Sequence, residues 1–149
     1  MDIALAYNPD WKCCDVVFNG TDFALDPTPA SAMLMSILAK RRAAPDDVLP
    51  TPMTDWANPA SLNARGGYPG DALDTAGQLT GSRTWLLARR LADEQTRQDC
   101  ENYVAEGLAW LESIRGYALS LLVRYVAPGI LGYRARAGNT TVQLQLAVF

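Results

Sequence analysis

Apolar residues recur along this chain with two different periods, and the period changes near Gly116. Before that point they fall at helical spacing: Met33, Leu34, Ile37 and Leu38 in one segment, then Cys100, Tyr103, Val104, Gly107, Leu108, Leu111 and Ile114 in another. After it they alternate with polar residues in steps of two, as half-buried strands do. Leu119, Leu121, Val123 and Tyr125 predict one strand. Leu131, Tyr133, Ala135 and Ala137 predict a second, alternating with Arg134 and Arg136. Val142, Leu144, Leu146 and Val148 predict a third, set against Thr141, Gln143 and Gln145. Pro128-Gly129 and Gly138-Asn139 supply the turns, so the three strands form an antiparallel meander.

The first 26 residues also alternate. Ile3, Leu5 and Tyr7 read as one face of a strand that Asn8-Pro9-Asp10 breaks, and Asn19-Gly20 sits at a hairpin turn between Val16-Val17-Phe18 and Phe23-Ala24-Leu25. A helix then starts with Thr28 as N-cap and Pro29 at the first helical position. Lys40, Arg41 and Arg42 fall in its last turn, where positive charge suits the helix dipole, and Pro45 ends it. Ser82 caps a second helix packed through Trp85, Leu86 and Leu91; Asp93 caps a longer one reaching Ile114. The expected fold is α+β: an N-terminal β-hairpin unit and two to three helices packed on a C-terminal three-stranded antiparallel meander, forming one domain over 1–149. Residues 45–80 are rich in proline and glycine, have little periodicity, and read as a long ordered loop punctuated by Trp56, Leu62, Tyr68 and Leu73.

Composition narrows the function. The chain has 149 residues, 49% hydrophobic and 19% charged, with a net charge of −3, which does not give the basic footprint of a nucleic-acid binder. Arginine carries nearly all the positive charge, Lys12 and Lys40 being the only lysines. The absence of histidine removes the usual general base and the Ser-His and Cys-His nucleophile pairs. Cys13, Cys14 and Cys100 lack metal-ligand spacing and read as free thiols of a reducing compartment, Cys100 on a buried helix face. The N-terminus lacks the pattern of a secretory signal, and no apolar run has the ~20 residues that span a bilayer. No cofactor and no metal is expected.

Carboxylate catalysis is the one enzyme class that the residue types leave open. Glu101, Glu106 and Glu112 with Asp93 and Asp99 lie on the long helix, but among polar positions beside arginines, which favours a solvated face over a glycosidase pair. Asp46-Asp47 and Asp71 lack cation-loop spacing. Gly66-Gly67 with Gly70 lacks the Lys-Ser/Thr of a phosphate loop. Interaction is what remains. The strand from Thr140 to Phe149 is either an ordinary interior strand or an edge that another chain extends.

The most distinctive stretch is Arg65-Gly66-Gly67-Tyr68-Pro69-Gly70-Asp71, followed by Gly81-Ser82-Arg83-Thr84-Trp85-Leu86-Leu87. With Asp2-Ile3-Ala4-Leu5, Arg41-Arg42-Ala43, Asp46-Asp47 and Tyr103 before Ala109-Trp110-Leu111, it resembles the Mu-type gene 46 family of tail baseplate proteins. The family's loop reads Arg-Gly-Trp-Trp-Gly-Asp; here Gly67-Tyr68-Pro69 replaces the tryptophan pair. That family is related to the gene 25-like wedge proteins of contractile tails.

The resemblance implies a structural, non-enzymatic baseplate wedge component, present in six copies in the virion and assembled in the host cytoplasm. Its implied partners are other wedge proteins, the tail sheath and the central hub and tube proteins, with no nucleic acid or membrane. By this likeness Arg65, Gly66, Tyr68, Gly70, Asp71 and Arg83 would dock on wedge subunits. Arg134, Arg136, Val142, Leu144, Leu146 and Val148 would belong to a strand-pairing surface that seeds the sheath. A lysozyme-like glycosidase and a generic protein-binding module are the alternatives.

Overall fold

The computed structural model describes residues 2–11, 13–50 and 65–148. Expectations for Trp56 and Leu62 lie outside these. The described chain is α+β, with an N-terminal pair of small sheets, two α-helices and a C-terminal three-stranded sheet.

The N-terminal strand is split. β1 (Asp2–Ile3) pairs antiparallel with β4 (Leu25–Asp26), and β2 (Leu5–Asn8) pairs with β3 (Cys13–Val16). Ala4 is the crossover: its N–H donates to Ala24 O at 2.8 Å and its carbonyl accepts from Val17 N at 3.0 Å. The Asn19 turn spans four residues, its side chain accepting from Asp22 N at 3.0 Å, and Phe18 bridges Phe23 across it. Cys13 is exposed and Cys14 half-buried, on opposite sides of β3 as alternation requires.

Helix α1 (Ala30–Leu38) is shorter than its sequence suggests. Its N-terminal amides are held by Asp26, not by Thr28 alone: Asp26 Oδ2 accepts from Ser31 N at 3.0 Å and from Ser31 Oγ at 2.7 Å. Burial works to raise the Asp26 carboxyl, but hydrogen bonds from Thr28 and Ser31 outweigh it and hold its pKa at about 2. The helix stops at Leu38 because the next residues are taken by another partner. Lys40 forms a parallel bridge with Ser82, so Lys40, Arg41 and Arg42 lie on an extended segment instead of a basic last turn. Met33, Leu34 and Ile37 are buried, whereas Leu38 is exposed.

Ser82 caps a 3₁₀ helix, Arg83–Leu87, its hydroxyl accepting from Thr84 N at 3.2 Å. Leu86 and Leu87 are buried, while Leu91 is 81% exposed. Asp93 caps α2 (Glu94–Ser113) as expected, accepting from Thr96 N at 2.8 Å. Cys100, Val104, Leu108 and Leu111 are fully buried along its inner face. Burial pushes the Cys100 thiol up to about 12, so it is an inert core residue. Ile114, just past the helix, is exposed. Gly107 lets two backbones come close: a Cβ there would sit 3.0 Å from Gly81 O and 3.1 Å from Ser36 O. Trp110 ties α2 to α1 by donating from Nε1 to Ser36 Oγ at 3.0 Å.

The meander follows as β5 (Leu119–Ala127), β6 (Ile130–Ala137) and β7 (Thr140–Ala147), in the order β5-β6-β7. Val123, Leu131, Tyr133, Ala135, Ala137, Val142, Leu144 and Val148 face the helices and complete one core with α1 and α2. β5 carries a bulge at Val126, between the pairs Tyr125–Leu131 and Ala127–Ile130. Val126 folds over Gly132, where a Cβ would come within 2.6 Å of its methyl group.

Candidate functional site

The glycine-rich motif folds inward. Residues 39–43 run extended between its two halves. Ser82 N donates to Ala39 O at 2.9 Å and Arg41 N to Ser82 O at 3.1 Å on one side; Gly67 N donates to Lys40 O at 3.1 Å and Ala43 N to Arg65 O at 2.8 Å on the other. Gly66, with φ +65°, lies against the Trp85 ring, where a Cβ would sit at 3.0 Å. Trp85 Nε1 donates to Arg41 O at 2.9 Å, and the Lys40 ammonium stands 5.9 Å from its ring centroid. Gly81, at φ +101°, is pressed against Ala39 O so closely that no side chain fits.

Arginines finish this frame. Arg65 donates from Nη1 to Ala44 O at 2.6 Å and from Nη2 to Pro45 O at 3.2 Å. Arg83 bridges Asp47 (Nη1 to Oδ2, 3.0 Å) and Glu106 (Nε to Oε2, 2.9 Å), with its guanidinium 4.8 Å from the Tyr103 ring centroid. Asp47 also accepts from Ala44 N at 2.8 Å, so one carboxylate fixes the loop entry and the arginine together. Asp71 Oδ1 accepts from Thr80 N at 2.9 Å, and the Tyr68 ring covers Gly70. Of the six residues expected to dock on neighbours through this loop, Arg65, Gly66, Asp71 and Arg83 are therefore engaged within the fold. Tyr68 alone is a large, 39% exposed side chain, and Gly70 lies beneath it.

The acids of α2 are likewise in use. Glu101 meets Arg97 at 2.8 Å, Asp99 meets Arg90 at 2.8 Å, Glu106 meets Arg83 and Arg41, and Glu112 accepts from Leu119 N at 3.1 Å. Hydrogen bonds from Thr96 hold the Asp93 carboxyl at the α2 N-cap below its ordinary range, and those from Arg97 do the same for Glu94. Such carboxylates brace a structure; a proton-donating acid is tuned the other way. Among the described residues no group of three or more His, Cys, Asp or Glu side chains could hold a metal ion, and no helix is long and apolar enough to cross a membrane.

The sheet presents a different surface. Val142, Leu144 and Val148 are buried against the helices and Leu146 is partly so, which makes their side chains core and leaves only the β7 backbone for pairing. Val148 N donates to Gly129 O at 2.8 Å, which fixes the alternation along β7. Val142, Leu144 and Leu146 turn their amides toward β6, so those of Thr141, Gln143, Gln145 and Ala147 turn outward. Gln145 is partnered by the Tyr7 hydroxyl. The other edge, on β5, is guarded by α2: Leu119 N meets Glu112, and Val123 O accepts from Arg97 Nη1 at 3.4 Å. Sequence periodicity gave no sign of this asymmetry, because the guarding residues are distant in the chain.

Arg134 and Arg136 stand exposed on the outer face with Arg124, beside exposed Leu122 and Val126. Arg134 leans across β7: with the Gln143 amide oriented to satisfy both groups, Gln143 Oε1 accepts from Arg134 Nε at 2.9 Å and Nη2 at 3.0 Å. Arg136 Nε donates to Gly138 O at 3.0 Å.

A small α+β protein with an internally braced motif and one open sheet edge is thus defined. Comparison with known proteins gives the family: the chain belongs to the phage protein GP46 family, which matches residues 29–144, from just before α1 to within β7. It is also similar to "Baseplate protein gp46" of Escherichia phage Mu, 30% identical over 99 residues. That match covers 66% of this chain and 61% of the relative's length.

Proposed function

We propose that the protein is a structural component of a phage tail baseplate, located in the virion tail, and that it contacts its neighbours through the outer edge of β7. Membership of the GP46 family and the name of the Mu relative support the baseplate role. The observation that carries the mechanism is the β7 edge, where the outward amides of Thr141 and Gln143 make no hydrogen bond among the described residues. The unpaired part of this edge offers backbone donors and acceptors to an added strand, whereas Glu112 and Arg97 already occupy Leu119 N and Val123 O on the β5 edge. In this reading the protein is a wedge component linking wedge proteins to the hub, and the strand that pairs with β7 comes from the sheath, whose assembly it seeds. Contact with other wedge subunits through the glycine-rich loop narrows to the Tyr68 ring. Six-fold repetition around the tail would convert modest contacts into a stable ring.

Deleting β7 would be a poor test, since Val142, Leu144 and Val148 are core. Thr141→Pro removes one outward N–H at a position where an edge strand accepts proline, and Thr141→Val alters the side chain while keeping that N–H. In a phage carrying this protein, Thr141→Pro is expected to abolish sheathed tails while Thr141→Val preserves them, scored by electron microscopy. Normal sheathed tails with Thr141→Pro would sink the strand-pairing mechanism.

A further inference from the structure

We infer that the outer face of the C-terminal sheet selects an acidic polypeptide strand. The inference rests on the reading of this sheet as the contact surface and names the chemistry of what it contacts. Its basis is a segregation of charge. The last acidic residue in the sequence is Glu112, so the sheet contains no carboxylate side chain; its ionisable groups other than tyrosine are Arg124, Arg134 and Arg136, all on the outer face. Outside the sheet, four arginines, Arg41, Arg83, Arg90 and Arg97, each pair with a carboxylate. None of the three sheet arginines has such a pair among the described residues.

Position adds to charge. Arg134 reaches over β7 to Gln143, so its guanidinium stands above the last strand beside the open edge. A strand added to β7 places every second side chain on this same face, next to Thr141, Gln143 and Gln145. Glutamate or aspartate at those positions would meet the forked donors of Arg134 and Arg136. Leu122, 52% exposed, and Val126, 47% exposed, extend the surface with apolar area that a polypeptide covers and a phosphate backbone does not. The net charge of −3 opposes nucleic acid as the occupant.

The test uses the full chain and synthetic eight-residue peptides, the length of β7. One alternates glutamate with valine; its counterpart has glutamine in place of glutamate; a short DNA duplex is the third probe. Affinity is read by fluorescence anisotropy and edge pairing by amide exchange at Thr141, Gln143 and Ala147. The acidic peptide is expected to bind about tenfold more tightly than the glutamine peptide at low salt, and to slow exchange at those amides. The variant R124Q/R134Q/R136Q, checked for an unchanged circular dichroism spectrum, should bind both peptides alike. Equal affinity of the two peptides for the native chain, with protected amides, would overturn charge selection and leave strand pairing standing. Charge-dependent binding without protection would keep the acidic partner and defeat strand pairing. Tighter binding of the duplex than of the acidic peptide would overturn the assignment to a polypeptide.

Discussion

The glycine-rich motif and the C-terminal sheet are both rich in arginine, yet they use it in opposite ways. Around the motif, Arg65 and Arg83 are fixed by carbonyls and carboxylates, and glycines at positive φ let three chain segments stack. On the sheet, Arg124, Arg134 and Arg136 face outward and meet no carboxylate among the described residues. Residue type and density therefore do not distinguish a frame from an interface. The partners do, and these come from distant parts of the chain.

The largest expected effect lies in the frame. Gly81→Ala puts a Cβ into Ala39 O at a φ that side chains rarely adopt, so we expect a loss of about 3 kcal/mol or failure to fold, measured by urea denaturation. Next is Arg83→Ala, which removes the cation that bridges Asp47 and Glu106 and should cost about 1–3 kcal/mol in the same assay. Asp26→Ala removes the α1 cap and should cost about 1 kcal/mol. Because the folded Asp26 pKa is depressed, its contribution is complete above the usual carboxyl range and is lost as pH falls from about 4 toward about 2. The variant should accordingly show a shallower loss of stability across that window. Smallest of all is the sheet: R124Q/R134Q/R136Q should change stability by about 0.5 kcal/mol or less, since these exposed side chains make only surface hydrogen bonds, to Gln143 and Gly138. A large destabilisation there would erase the contrast between frame and surface.

Much of this was legible in the sequence, and the misses share one cause. The meander and α2 were read from period and turn residues because their hydrophobic faces are set by local spacing. The sequence pattern carries α1 too far because Lys40, Arg41 and Arg42 suit a helix end, whereas Ser82 and Gly67 capture that segment as extended chain. Leu91 and Ile114 continue an apolar pattern, yet both are exposed among the described residues. Thr96, 2% exposed on the inner face of α2, is invisible to a hydrophobic pattern. Arg65, Gly66 and Asp71 stand out in the sequence, and their contacts among the described residues are internal; Arg97 and Glu112, which touch the β5 edge, give no local signal.

We propose β7 as the edge where a partner strand is added. A cryo-electron microscopy map of the assembled tail carrying this protein tests it directly. The expected map shows a strand of another chain running about 4.8 Å from β7, bonded to Thr141 and Gln143, with acidic side chains near Arg134. A β7 edge left facing solvent in the assembled particle, with the contacts made elsewhere, would contradict it.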